Sequence, residues 1–303
     1  GFDMMFDLQE VGLLGNTQSI GNDFVGTFYD MNRNWKGKNI AMSPEEFIAV
    51  LTKFVRGGWK RSDLAQFYHS PTKLYTTTFA IPPLHATVAP RAFGEPDTAG
   101  SCFAVHYKGE LVYKDDITFR FWGLGDDLIT IRVDGEVVLH APYPRNGGKY
   151  DTENMCYPWQ TSDPKSRSYW LGCHLSVIGD WITLKAGEPL DMEVLIAEIP
   201  GGLFQAMLTV EVEGEEYPRN PARGGPVLPI FKTAVPSLDL VEKIHGDLDP
   251  YDACVTNGPV FCDYDTTPKA PALPVVEPNG PARIAAAPVE EPAMRIWTVL
   301  ATG

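Results

Sequence analysis

The chain has 303 residues, 44% of them hydrophobic and 21% charged, with a formal net charge of −14. A chain of this length buries roughly three quarters of its unfolded surface, so it folds without metal or disulfide staples, and its composition excludes a disordered or fibrous class. The acidic balance, with no Lys/Arg run to offset it, excludes nucleic acid and anionic bilayers as partners and suits neutral ligands and divalent cations.

Five cysteines leave at least one thiol unpaired. Cys254 and Cys262 are near enough in sequence to pair, whereas Cys102, Cys156 and Cys173 read as buried thiols. No apolar run reaches the ~18 residues of a membrane span. The chain opens at Gly1-Phe2-Asp3 without a methionine, which points to a longer precursor.

Residues 1–23 carry Gly12, Gly15 and Gly21 and no period, and read as a lead-in segment. Phe24 to Tyr29 is a strand. Ser43-Pro44-Glu45-Glu46 is a helix start: Ser43 caps free amides, Pro44 suits the first turn and Glu46 completes a capping box. Phe47, Val50, Leu51 and Phe54 follow at helical spacing, and Gly57-Gly58 ends the run. A second helix is expected over Ser62 to Tyr68, which makes residues 43–69 a small helical insertion. Prolines 82, 83, 90 and 96 imply extended connections over 74–98, with one strand at Leu74 to Ile81.

From Cys102 the pattern turns to β. Cys102 to Tyr107 and Ile117 to Trp122 alternate, with Ile117, Phe119 and Phe121 on one face. Leu128 to Val133 and Glu136 to His140 form a hairpin across Asp134-Gly135, a type I′ signal. Residues 141–180 read as a long irregular loop with one strand at Tyr169 to Leu175. Leu190 to Glu198 places Met192, Val194 and Ile196 on one face; Leu203 to Val212 does the same with Phe204, Ala206, Leu208 and Val210. Repeated strands with one apolar face mean an antiparallel sandwich or barrel, here spanning residues 24–235. Residues 236–303 hold a loop, a Pro-rich strap at 265–292 and a terminal strand at Met294 to Leu300.

Gly125-Asp126-Asp127 lies between two of these strands. Adjacent carboxylates at such a place are either turn formers or the start of a site for a hard cation, which takes six to eight oxygens. The tyrosines and tryptophans Tyr143, Tyr150, Tyr157, Trp159, Tyr169 and Trp170 fill the long loop. They either pin it to the sandwich or present ring faces to a sugar. Trp122 reads as core. The acidic run Gly246 to Asp252 lacks the central glycine and closing glutamate of an EF-hand, and reads as a polar loop. The six histidines show no zinc spacing, and neither a nucleophile elbow nor a phosphate-cradling glycine loop occurs, so no enzyme is expected.

The segments FVGTFYD (24–30), FAVHYKGELVYKDDITFRFWGLGDDLITIRVDGEVV (103–138), WITLKAGEPLDMEVLIAE (181–198) and FQAMLTVEV (204–212) together resemble a PA14-type domain interrupted by insertions. The resemblance implies a β-sandwich that binds carbohydrate or protein partners. In the sugar-binding members a consecutive Asp pair joined by a cis peptide holds Ca²⁺, and the ion coordinates sugar hydroxyls; Asp126 and Asp127 stand at the matching positions. Leu128 departs from the small residue usual after the pair, and the helical insertion lies outside the common domain. The whole chain also resembles envelope proteins of Verrucomicrobia-like bacteria. The expectation is therefore a mainly β, PA14-like sandwich acting as a non-catalytic, Ca²⁺-assisted glycan-binding module, periplasmic, cell-surface or secreted. The alternative is an envelope assembly protein that makes protein contacts through its C-terminal strap.

Overall fold

The structure, a computed structural model, describes residues 14–19, 23–144, 150–248 and 251–261. The chain divides into Gly1–Thr267 and Pro268–Gly303; everything below belongs to the first unit. The strap, the terminal strand and Cys262 lie outside the described residues, as does most of the lead-in segment.

Strand β1 (Phe24–Asn34) opens the sandwich. Helix α1 (Pro44–Arg56) follows with the capping box in place: Ser43 Oγ accepts the Glu46 amide at 3.2 Å, and the Glu46 carboxylate accepts the Ser43 amide at 3.0 Å. The second expected helix is absent. A single 3₁₀ turn, Arg61–Asp63, leads into edge strand β2 (Phe67–His69), which pairs with β1 through Tyr29↔His69 and Asp30↔Tyr68. Seven residues are too few to hold a helix alone, and the open edge of β1 offers their backbone a better partner.

The strand expected at 74–81 is two strands in two sheets, β3 (Leu74–Thr76) on β1 and β4 (Ala80–His85) on the strand Leu203–Val212. Pro82 and Pro83 are tolerated because β4 is an edge strand. A short helix α2 (Ala89–Ala92) follows. Then come β5 (Phe103–Leu111), β6 (Ile117–Asp126), β7 (Leu128–Val133) and β8 (Glu136–Pro142). Asp134 and Gly135 take φ of 47° and 85°, as a type I′ turn requires.

The irregular stretch carries a small hairpin, β9 (Trp170–Leu171) and β10 (His174–Leu175). It ends at Ser176 rather than at residue 180, because Val177 already starts β11 (Val177–Leu184). Strands β12 (Leu190–Glu198) and β13 (Leu203–Val212) stand where the alternation puts them. Last come β14 (Leu228–Pro229), α3 (Leu238–Asp247) and β15 (Ala253–Cys254). Helix α3 was not expected; it buries only Leu240 and Ile244, too sparse a stripe to show as a period. Gly246 and Asp247 of the expected polar loop belong to its last turn, and Asp252 is buried.

The first sheet runs β2-β1-β5-β12-β7-β8 with β3 also on β1, and the second runs β11-β6-β13-β4, antiparallel throughout. Their facing sides share one core. Phe119, Phe121, Leu208 and Val210 from the second sheet meet Val105, Ile131, Val194 and Ile196 from the first. The other side of the first sheet is covered by α1, whose Phe47, Leu51 and Phe54 pack with Tyr29, Ala104, Leu195 and Ala197. Strand β12 is therefore apolar on both faces. Cys102 and Cys156 are buried free thiols, while Cys173 is half-buried. Among the described residues no helix is long and apolar enough to cross a membrane.

The connection between β6 and β7 is a corner, not a loop. β6 belongs to the second sheet and β7 to the first, and Asp127 alone separates them. The approach is so close that a Cβ on Gly125 would lie 2.1 Å from the Leu128 carbonyl carbon and 2.3 Å from the Ile129 nitrogen. Backbone cannot move aside as a side chain can. Gly125→Ala is therefore expected to lower stability by about 3 kcal/mol or more, whereas Gly202→Ala, with nothing within 4 Å, should change it by less than about 0.5 kcal/mol. Equal denaturation midpoints for the two variants would contradict the corner's tight fit.

Candidate metal centre and its aromatic neighbours

The corner gathers three buried carboxylates. Asp126 ends β6, Asp127 is the corner itself, and Glu198 ends β12; one oxygen from each lies within 4.8 Å of the others. They are 8%, 1% and 0% exposed. The peptide bond between Asp126 and Asp127 is cis, as the PA14 resemblance implies.

Local hydrogen bonds explain how the group is held. The Asp127 amide donates to the Ala197 carbonyl at 3.2 Å, and Asp127 Oδ2 accepts the Ile199 amide at 2.6 Å, so the corner is clamped on both sides of Glu198. The Asp127 carbonyl accepts the Tyr143 amide at 2.7 Å. Glu198 was missed in the sequence reading, although a signal was there. It continues the row Met192, Val194, Ile196 at the next position reserved for the core. A carboxylate at a core position of a strand is a departure that asks for a partner.

The surroundings are acidic too. Asp30, buried on β1, is held by Arg33 Nε at 2.6 Å. Burial first, then the charges of Asp30, Glu198 and Asp127, push the Cys102 thiol up to about 12. On the other side, burial and then the charge of Asp126 raise Cys173 to about 12. Both thiols stay protonated and leave the three carboxylates as the hard donors.

Like charges this close repel by about 3 kcal/mol per pair at the effective dielectric of a protein, and burial adds a desolvation cost. A bound cation would offset both. The donor set fits a hard divalent ion: two oxygens on one Ca²⁺, each at 2.3–2.6 Å, lie at most about 5 Å apart, and the observed spread is inside that limit. Asp126, Asp127 and Glu198 would hold the ion, leaving coordination positions for water or ligand hydroxyls.

The expected aromatic residues separate into two groups. Tyr143 and Trp170 come together at the corner, both against His174, with ring centroids 5.0 and 5.5 Å from the imidazole. Burial, then Arg167, lowers the His174 pKa, so the ring is neutral near neutral pH. Trp170 is 41% exposed, and Arg223 sits 5.0 Å over its ring. The β9–β10 hairpin that carries it is fixed beside Asp126 by Gln205, the β13 residue paired with Asp126. Gln205 Oε1 accepts the Cys173 amide at 2.8 Å, and Nε2 donates to the Leu171 carbonyl at 3.0 Å. Gly172, at φ 69°, makes room: a Cβ there would lie 2.1 Å from Gln205 Oε1.

The second group lies elsewhere. Tyr150 is buried under α1. Trp159 is half-buried, and its indole N–H donates to Asp180 at 2.7 Å. Tyr157 is 59% exposed, and Tyr169 stacks on buried Trp122 at 6.0 Å.

No family model matches this sequence, and no curated protein matches it. Solved structures do resemble it. The PA14 sugar-binding domain of an RTX adhesin is 13% identical, with a TM-score of 0.38 over 68% of this chain and 98% of that one. The PA14 domain of the antifreeze protein MpAFP is also 13% identical, with a TM-score of 0.37 over 66% and 86%. The A domain of epithelial adhesin 6 from Candida glabrata, solved with Galβ1-3GlcNAc, is 11% identical, with a TM-score of 0.40 over 73% and 91%.

His140 ties the loop after β8 to the sheet. It is fully buried between Thr130 Oγ1 and the Thr152 carbonyl, each at 2.8 Å. Burial pushes its pKa from 6.5 down to about 4. A depressed folded-state value means that the unfolded chain takes up the proton first. Stability is then complete above pH 6.5 and falls as the pH drops towards 4. Denaturant titrations at pH 7, 5 and 4 should show that loss, and His140→Asn should flatten it; an unchanged slope in the variant would contradict the assignment.

Proposed function

We propose that this chain is a non-catalytic, PA14-like carbohydrate-binding module in which Asp126, Asp127 and Glu198 hold Ca²⁺. The single observation that carries the reading is the buried three-carboxylate corner, with a half-exposed Trp170 fixed beside it. A bound cation would coordinate vicinal hydroxyls of a sugar. Trp170 and Tyr143 would then supply ring surface to its apolar face, which adds orientation and excludes water. Of the aromatics expected to contact ligand, these two fit the role best, and Tyr157, Tyr150 and Trp159 stand apart from it.

The ligand in this reading is a glycan, and the setting is a periplasmic, cell-surface or secreted protein of a bacterial envelope. Three protein carboxylates with open positions make a modest site, of the kind that fills at the higher Ca²⁺ levels outside cells. The acidic surface supports the same choice, since it leaves neutral sugars unopposed.

Isothermal titration of the chelator-treated protein with Ca²⁺, beside Asp126→Asn/Asp127→Asn, tests the cation. Heat of binding is expected in the parent and not in the variant. A glycan panel run with Ca²⁺ and with chelator then tests the sugar: binding should need the ion and weaken by roughly tenfold in Trp170→Ala. Absence of both Ca²⁺ heat and any glycan signal would refute the reading.

A further inference from the structure

A second feature sits at the other end of the second sheet. Ile117, the first residue of β6, and Val212, the last of β13, border a cavity of about 720 Å³. Ile117 stands nine positions before Asp126 along β6, so that end of the cavity lies roughly 30 Å from the carboxylate corner, while its Tyr251 and Ala253 wall flanks Asp252, whose carboxylate accepts the Gly172 amide of the β9–β10 hairpin at 2.9 Å. The segments that follow the sandwich strands build it: residues 213–229, the end of α3 and the 251–259 stretch. Its size is in the range of ligand sites.

Its walls are unusual in kind. Tyr113, Tyr217 and Tyr251 line it together with Pro218, Pro229 and Pro259. Tyr251 is 49% exposed. Glu215 and Glu216 stand at its edge, exposed, with no ion-pair partner for their carboxylates among the described residues. Arg219 and His245 also line the cavity, and two of its other polar groups are already engaged. The Tyr217 hydroxyl accepts the Val212 amide at 2.9 Å, and the Asn257 carbonyl accepts buried Lys232 Nζ at 2.5 Å.

Those two facts choose the ligand chemistry. A sugar presents hydroxyls around its ring and would leave several unpaired against tyrosine and proline walls, each at a cost. A polyproline II segment presents pyrrolidine faces that need no hydrogen bond from the wall and is ordered before it binds. Grooves lined by aromatic rings are how such segments are recognised. Glu215 and Glu216, against the one guanidinium of Arg219, leave the lining net acidic and add charge complementarity for a cation at their end. We propose that this cavity is a docking groove for an extended proline-rich segment of a partner protein, with a basic residue seated against Glu215 and Glu216. It acts independently of the carboxylate corner.

The test uses the full chain and two end-blocked proline-rich dodecapeptides that differ only in one terminal Arg or Ala, followed by isothermal titration or fluorescence anisotropy. The Arg peptide should bind, and the Ala peptide roughly fivefold more weakly. Glu215→Gln/Glu216→Gln should erase that difference and its salt dependence. Tyr251→Ala, a change at a half-exposed ring, should weaken both peptides by roughly tenfold. Asp126→Asn/Asp127→Asn should leave peptide binding unchanged, which separates this groove from the glycan site. No peptide binding at millimolar concentration would overturn the proposal, as would binding indifferent to Tyr251→Ala. A neutral oligosaccharide whose binding Tyr251→Ala abolishes would overturn it in favour of a second sugar site.

Discussion

The passage of the chain from one sheet to the other through a single residue, Asp127, is the constraint on which the rest of the structure depends. Gly125 makes it sterically open, and the bonds from Asp127 to Ala197 and Ile199 lock it to the end of β12. Because β12 is the strand between β5 and β7 and is packed on both faces, the corner is held by a central strand of the sandwich. Three carboxylates are thereby fixed where they cannot separate to relieve their repulsion. That is a poor arrangement for stability alone and a good one for holding a cation.

The additions to the sandwich have separable tasks. Helix α1 covers the outer face of the first sheet, so that Leu195 and Ala197 are buried and β12 cannot shift. The loop after β8 is tied down by His140 and returns as the β9–β10 hairpin, which Gln205 aligns beside Asp126. The C-terminal segments, α3 and β14–β15, build the far cavity instead. One sheet thus carries a polar corner at one end and an aromatic groove at the other, the first suited to a cation and hydroxyls, the second to apolar rings and a positive charge.

Much of this was legible in residue patterns. The α1 capping box, the Asp134-Gly135 turn and the alternation in β12 and β13 each follow from local chemistry that the fold does not override. The failures share a cause. Phe67–His69 became a strand because β1 had an open edge, a fact of tertiary pairing. Residues 74–85 divided between sheets, which no local period announces. Helix α3 hides because it buries so little. At the site, the adjacent Asp pair was visible as a motif, but Glu198 lies 71 positions further on and could be found only as a charge on a core row. Among the aromatics, spacing could not tell Trp170, held outward over Arg223, from Tyr150, buried under α1.

Thermal unfolding with Ca²⁺ and with chelator, for the parent and for Asp126→Asn/Asp127→Asn, tests the central claim most directly. Saturating Ca²⁺ at a hundredfold over its dissociation constant adds about 2.7 kcal/mol to the folded state, which for a chain of this size is an upward shift of about 5 °C. The account predicts that shift in the parent and none in the variant. A parent whose midpoint ignores Ca²⁺ would contradict the account and leave the Asp pair as a structural turn.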